Sequence, residues 1–351
     1  MFKLNVSDLN IGTRLGKDLF SADGSLLLKE TTIINKDHLD RFKKRGIDEV
    51  YIAEEIVNAP QEKKEAAHIP NEKAFEKIYL ESTHSVKEFL TKAKLGQPLE
   101  AAEVLEIVDT LFTQLFDGFN IFKNISILKE KDDYLFKHSI NVAILCMLSG
   151  RWMNMNEHNV KQLGLAGVLH DIGKVFIDDK ILNKDDALTN EEYQEMKKHA
   201  FLGYNYVNKL DWVNNPIAEA VLLHHERMDG RGYPNGVKDY GNNIFAPVLA
   251  VCDVYDAVTS ERVYSNKRSP FAAADILWEE SFGRLDPVVT SIFFNKIGDL
   301  LLGSTVKLSN GEIGKVVFTD AFRPTRPLIK VGNLFYNLGK EREIHIMEII
   351  S

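Results

Sequence analysis

Five histidines and two aspartates occur in an order and spacing typical of a hydrolytic site that holds two metal ions. These residues are His138, His170, Asp171, His199, His224, His225 and Asp253. Imidazole nitrogens and carboxylate oxygens bind divalent iron, manganese, zinc or nickel, and the two oxygens of an aspartate can bridge two ions. Asp171 is the natural bridge. Two ions about 3.5–4 Å apart are suited to phosphoester hydrolysis, which therefore becomes the predicted chemistry.

Four of these residues form two adjacent doublets, His170-Asp171 and His224-His225, and each doublet follows an apolar run. Neighbouring residues of a helix point about 100° apart. The members of a doublet can thus reach one metal cluster only near a helix end, or if the metals lie between their two directions. The apolar runs predict an interior position, where polar rings without partners would cost several kcal/mol. Metal binding is therefore favoured over the alternative of ordinary hydrogen-bonded histidines.

Two other residues near the doublets need an interpretation. Lys174 follows His170 by one helical turn and could place a positive charge against a phosphate oxygen, which would make it a catalytic residue together with Asp171. Its alternative is a solvated lysine at a helix end. His158 has polar neighbours, which suggest a solvated turn, so we set it aside as a surface residue.

The segment Asp229–Pro234 reads Asp-Gly-Arg-Gly-Tyr-Pro. Such composition is common in plain surface turns. Its place directly after the second doublet favours a loop at the mouth of the site, because binding residues are often carried on loops beside a rigid scaffold.

At these residues the sequence resembles the HD-GYP family, a bacterial branch of the HD phosphohydrolases. The resemblance covers residues 119–302: His170–Lys174 resembles the HD motif, and His224–Glu226 with Asp229–Pro234 resembles the extended GYP motif. It implies an all-helical catalytic core that hydrolyses cyclic di-GMP, a bacterial second messenger, first to linear pGpG and in some members onward to GMP.

The resemblance also implies roles for individual residues. The same five histidines and two aspartates would ligate two divalent ions, for which we expect iron or manganese. Lys174 and Arg262 would contact phosphate, and Gly232 and Tyr233 would belong to a loop that shapes the ligand-binding side. The alternative for Arg262 is a surface salt bridge.

Two departures from the family pattern affect these expectations. Some members carry a glutamate four residues before the first histidine, where it supports a third metal, but this chain has Tyr134, so we predict two ions. A basic residue often follows the segment that corresponds to residues 262–264, whereas this chain has Ser265, with Lys267 and Arg268 slightly later. Phosphate contact or ligand preference is therefore expected to depart from the pattern.

The rest of the chain predicts a mainly α fold with small β-containing appendages. We expect an α+β domain at residues 1–54, a linker at 55–73, a helical connector at 74–118, the helical catalytic domain at 119–302 and a β-rich extension at 303–351. The extension contains Asn310-Gly311, a strong hairpin signal. The connector helices are open to two interpretations, core packing or formation of a homodimer.

Composition excludes several classes of protein. A net charge of -8 over 351 residues argues against a protein that coats a nucleic acid polymer, since that binding needs clustered Lys and Arg. Cys146 and Cys252 form no disulfide framework, which indicates a reduced, intracellular protein. No apolar run approaches the roughly 20 residues that cross a bilayer. We therefore expect a cytoplasmic protein that does not bind membranes.

The leading hypothesis is a cyclic di-GMP phosphodiesterase. One alternative is a signalling module that binds a cyclic dinucleotide with weak or no hydrolysis. Another is a phosphodiesterase for a related ligand such as cyclic GMP-AMP. A further alternative is oxidation by a mixed-valent di-iron centre in a similar helical architecture, which the GYP loop disfavours.

Overall fold

The computed structural model describes residues 2–6, 15–20, 26–30, 32, 34, 38–39, 42, 47, 49–52, 72–113, 134–184, 186–259, 270–280, 283–320, 323–341 and 343–350. The chain divides into two compact units, Met1–Ile69 and Pro70–Ser351.

The N-terminal unit contains two short antiparallel strand pairs. Strand β1 (Phe2–Asn5) pairs with β4 (Glu49–Ile52), and β2 (Leu19–Phe20) pairs with β3 (Leu26–Leu28). A small core holds them together, formed by Val6, Leu15, Ile34, Phe42 and Val50.

The second unit is mostly helical. Its helices are α1 (Glu72–Lys94), α2 (Ala101–Thr113), α3 (Tyr134–Trp152), α4 (Glu157–Leu169), α5 (Asp179–Leu182), α6 (Asn190–Lys197), α7 (His199–Val207), α8 (Asn215–Leu223), α9 (Phe245–Thr259), α10 (Pro270–Glu280) and α11 (Pro287–Leu301). A 3-10 turn, Ile172–Phe176, connects α4 to α5.

Helix α3 is the centre of this unit. Every residue from His138 to Gly150 is buried, so the helix is surrounded by protein on all sides. Helices α4 and α9 both pack against it. A Cβ on Gly167 would lie 2.6 Å from the Cα of Ala143, so only glycine allows α4 to approach α3 this closely. This close approach brings the residue after α4, His170, beside His138.

Helices α1 and α2 belong to the same hydrophobic core as the central helices. Tyr79 of α1 donates a hydrogen bond of 2.8 Å from its hydroxyl to the side-chain oxygen of Asn141 on α3. These helices therefore pack against the core, which agrees with the core-packing interpretation of the connector. The boundaries of the connector and the formation of a homodimer stay predictions.

A five-stranded antiparallel sheet follows α11. Its strands are β5 (Thr305–Leu308), β6 (Ile313–Asp320), β7 (Arg323–Val331), β8 (Leu334–Asn337) and β9 (Ile346–Ile349), in the order β8-β7-β6-β5-β9. The predicted turn at Asn310-Gly311 joins β5 to β6, and Gly311 takes the positive φ of 87° that favours glycine. The mainly α fold with an α+β N-terminal part and a β-rich extension is confirmed.

Among the described residues, no helix is long and apolar enough to cross a membrane. Cys146 and Cys252 are both free and buried. The cytoplasmic location stays a prediction.

Candidate metal centre

Both doublets lie where a helix ends. His170 is the C-cap of α4, and Asp171 leaves the helical conformation with φ -99° and ψ 7° as the 3-10 turn begins. His224 is the C-cap of α8, and His225 follows it. Two arrangements were considered for the doublets, and the structure shows the first, in which each doublet lies near the end of a helix. The chain changes direction between the two members, so both can face one centre.

Three histidines are oriented by the backbone in the same way. The Nδ1 atoms of His170, His199 and His224 each lie 2.7–2.8 Å from the carbonyl oxygen three residues earlier, which belongs to Gly167, Met196 and Val221 respectively. These carbonyls are in the last turns of helices, where backbone acceptors have no partner within the helix. A carbonyl only accepts, so Nδ1 donates and the Nε2 lone pair is left free to bind a metal.

Six of the seven predicted ligands come together in two groups that share Asp171. One group contains His138, His170 and Asp171, and the other contains Asp171, His199, His224 and His225; within each group, one ligand atom per residue lies within 4.8 Å of the others. Asp253 reaches both groups, because Oδ1 lies 3.1 Å from Nε2 of His138 and Oδ2 lies 3.7 Å from Nδ1 of His225.

The atoms that face each other in the second group fit a cation. The Nε2 atoms of His199 and His224, each with a lone pair, lie 3.4 Å apart. Oδ1 of Asp171 is buried with no hydrogen-bond partner and lies 3.4 Å from Nε2 of His199. Three acceptors in contact at a buried position leave one another unsatisfied. A divalent ion between them would satisfy all three.

Burial sets the protonation state of these rings. It lowers the pKa of His199 to about 4 and that of His224 to about 3, and it also lowers the pKa of His225. All three are therefore neutral near pH 7, the form of imidazole that binds metal ions. Burial opposes ionisation of Asp171, but nearby His170 and Lys174 hold the pKa of its carboxyl well below the ordinary value.

His138 lies between two carboxylates. Its Nε2 faces Asp253, and its Nδ1 lies 2.7 Å from Oδ2 of Asp256, also on α9. Burial alone would lower the pKa of His138, but hydrogen bonds to Asp253 and Asp256 raise it to about 9. Asp256 was not among the site residues predicted from the sequence. Its spacing of three residues from Asp253 was the available signal, since such residues share a helix face.

Lys174 pairs with the shared aspartate. Its Nζ lies 2.5 Å from Oδ2 of Asp171, and the side chain keeps 21% exposure. The side chain therefore contacts the candidate centre and is also partly exposed to solvent. Gly173, one residue earlier, was another omission: a Cβ there would lie 1.9 Å from the carbonyl oxygen of His199. Glycine lets the 3-10 turn contact α7, which brings Asp171 next to His199.

The loop after the second doublet folds back over it. The ring of Tyr233 lies 4.6 Å from that of His225, and its backbone N–H donates to the carbonyl of His225 over 3.2 Å. A Cβ on Gly232 would lie 2.3 Å from the backbone nitrogen of Arg227, so a larger residue does not fit. The loop is thus at the mouth of the centre.

Six other residues were considered in the sequence analysis. Arg262 lies outside the described residues, as do Ser265, Lys267 and Arg268. His158 is exposed, in the first turn of α4 rather than in a turn between elements. Tyr134 begins α3, and its ring stacks on that of His138 with centroids 5.5 Å apart.

Comparison with known proteins assigns this architecture. Residues 123–289 match the HD domain family. A cyclic di-GMP phosphodiesterase of Pseudomonas aeruginosa is 33% identical over 239 residues, covering 68% of this chain and 58% of that protein. A second one, from Borreliella burgdorferi, is 30% identical over 207 residues, covering 59% of this chain and 54% of the relative.

The solved structure of a Bdellovibrio bacteriovorus protein described as a HDG"Y"P protein shares the fold, with a TM-score of 0.53 and 15% identity over 84% of this chain and 99% of that one. Residues 123–289, which carry the candidate metal centre, therefore form an HD domain. Within that class, the chain belongs to the HD-GYP family.

Proposed function

We propose that this protein is a metal-dependent phosphodiesterase that hydrolyses cyclic di-GMP to pGpG, to GMP, or to both. The observation that carries the proposal is that Asp171 belongs to two adjacent groups of ligand atoms. The named activities of the relatives support the choice of substrate. The chain spans a little over half the length of these relatives, 58% and 54%. The activity of the relatives is therefore a proposal for this chain.

The donor set fits two divalent ions, for which we propose iron or manganese. His138 and His170 would hold one ion, and His199, His224 and His225 the other. Asp171 would bridge them and Asp253 would contribute from the α9 side. Bound ions of this kind acidify water and neutralise charge on a phosphodiester. The neutral rings of His199, His224 and His225 and the ionised carboxylate of Asp171 are the protonation states that such binding requires, whereas His138 would release a proton when an ion binds.

The residues around the centre would hold the substrate. Lys174 contacts Asp171 and is partly exposed, so its ammonium can meet a phosphate oxygen as a substrate approaches. Tyr233 and Gly232 would form one wall of the binding side, next to His225. We further propose that Arg262 contacts phosphate, a role that rests on its position in the family motif alone.

A second substrate has a specific observation in its favour. A protein of Vibrio cholerae named as a 3'3'-cGAMP-specific phosphodiesterase is 32% identical over 168 residues, covering 48% of this chain and 39% of that protein. Cyclic GMP-AMP is therefore the alternative substrate. Binding of a cyclic dinucleotide without hydrolysis is the other alternative.

The test is turnover by the purified chain, loaded anaerobically with Fe²⁺ or Mn²⁺ and incubated with either cyclic dinucleotide. We expect pGpG or GMP from cyclic di-GMP, with little turnover after removal of the metal by a chelator. Binding without turnover would support the signalling module instead. Absence of turnover with both metals and both substrates would overturn the proposal.

His158→Ala provides a matched control. This histidine is exposed and was set aside as a ligand, so its loss should leave metal content and turnover unchanged. His199→Ala removes a ligand from the second group and should reduce both.

A further inference from the structure

Glu226 directly follows the His224-His225 doublet, and it is completely buried. Its carboxylate accepts three backbone hydrogen bonds. Oε1 accepts from the N–H groups of Asn235 and Gly236 over 2.6 and 3.1 Å, and Oε2 accepts from that of Val237 over 3.1 Å. One side chain therefore satisfies three consecutive backbone donors at the far end of the loop that begins at Arg227.

The backbone of Glu226 also contacts the loop. A Cβ on Gly232 would lie 2.4 Å from the Cα of Glu226, so the middle of the loop passes directly over this residue. The hydroxyl of Tyr240 donates to the carbonyl oxygen of Glu226 over 3.2 Å. The loop thus meets Glu226 in its middle, at its end and just beyond it.

Tyr233 lies between these attachment points. It is next to Gly232 and two residues before Asn235, and its ring rests on His225. Since Glu226 is bonded to His225 along the chain, a single residue links the second metal-ligand doublet to the loop that carries Tyr233. A change at Glu226 would release the loop without removing any candidate ligand.

We propose that Glu226 is a positioning residue that fixes the Arg227–Val237 loop and thereby holds Tyr233 against His225 on the substrate-binding side. The inference deepens the proposed function and rests on it for the identity of the substrate. The attachment itself concerns only residues of this chain and can be measured without any substrate.

The chemistry of the three bonds requires a carboxylate of this length. A glutamine in place of Glu226 would fill the same volume but turn one oxygen acceptor into an NH₂ donor, which would face at least one backbone N–H. An aspartate there would be shorter by one methylene and would not reach all three donors. An unmade buried hydrogen bond costs about 1–3 kcal/mol, so local opening of the loop should become easier by roughly tenfold or more.

The experiment compares the metal-loaded wild type with Glu226→Gln and with a control, Asp239→Asn. Asp239 accepts one backbone hydrogen bond, from Gly241 over 2.9 Å, in an exposed position. Three quantities are measured: bound metal, hydrogen exchange of the Asn235–Val237 amides, and the KM and kcat for cyclic di-GMP.

We expect Glu226→Gln to keep its metal, to exchange these amides about tenfold faster, and to raise KM about tenfold with a smaller change in kcat. Asp239→Asn should match the wild type in all three measurements. Unchanged exchange in Glu226→Gln would overturn the proposal. Loss of metal at unchanged KM would also overturn it, because it would assign Glu226 to the metal centre instead.

Tyr240→Phe removes a single hydrogen bond to Glu226 and serves if Glu226→Gln does not fold. It should accelerate exchange of the same amides by a smaller factor, and unchanged exchange would count against the proposal. If the wild type turns over neither cyclic dinucleotide, the proposed function fails, while the exchange data still decide whether Glu226 anchors the loop.

Discussion

Oδ2 of Asp256 lies 2.7 Å from Nδ1 of His138, on the side of the ring opposite the nitrogen that faces Asp253 and His170. A carboxylate in this place fixes the ring and increases the basicity of its other nitrogen, an arrangement that commonly supports metal-bound histidines. His138 is thereby directed into the centre by a side chain, whereas His170, His199 and His224 are directed by backbone carbonyls.

Asp256→Asn should weaken metal binding by about 10–100-fold at the group that contains His138. The amide can still contact the ring, but it no longer offers a negative charge to the imidazole. Competition with a chelator of known affinity would measure the change. Asp275→Asn is the control, because Asp275 accepts a hydrogen bond from Thr325, away from the centre. Equal affinities in Asp256→Asn and the wild type would contradict this role.

Asp171→Ala should remove both ions and all turnover, since the residue belongs to both ligand groups. His138→Ala offers a comparison, because His138 belongs to only one group and its loss should leave about one ion per chain. Metal analysis of protein purified without added metal would distinguish the two results. A variant Asp171→Ala that retains two ions per chain would show that the bridging role is wrong.

Tyr134→Glu tests the predicted number of ions. Tyr134 is one helical turn before His138 and stacks on its ring, so a carboxylate at this position would lie beside the centre. We expect the metal content to rise from two ions per chain toward three. Tyr134→Gln supplies similar size without charge and should stay at two. Equal metal contents in both variants would show that Tyr134 does not determine the number of bound ions.

The metal-free protein should lose stability as the pH falls below about 6.5. His199 and His224 have folded pKa values of about 4 and 3, and the pKa of His225 is also well below the ordinary value of 6.5, so the unfolded chain binds more protons in this range. Each group then contributes a loss of about 1.4 kcal/mol per pH unit. The contribution of His138, whose pKa is raised to about 9, is fully present below 6.5 and does not change the slope.

Urea unfolding of chelator-treated protein at pH 6.5 and 5.5 would measure this loss. His224→Asn removes one of the three histidines whose pKa is lowered and should reduce the slope by about a third. A free energy of unfolding that does not change between these pH values would contradict the assignment of neutral, buried rings.

The sequence predicted the helical core, the hairpin at Asn310-Gly311 and the set of side chains that the fold brings together. These follow from local signals: residue type, helical spacing and turn chemistry. Glu226 was visible only as part of a motif and Gly173 only as a residue between two ligands. Their contacts with Val237 and with His199 depend on how distant segments pack, which no local pattern specifies.

The hydrogen bonds from histidine to carbonyl have an electrostatic consequence. Helices α4, α6 and α8 all end at the centre, since the carbonyls that orient His170, His199 and His224 lie in their last turns. The C-terminal end of a helix carries about half a negative elementary charge from its aligned peptide dipoles. Three such ends converge on one small volume, so the peptide backbone itself attracts cations there. This attraction would persist when any single ligand is replaced.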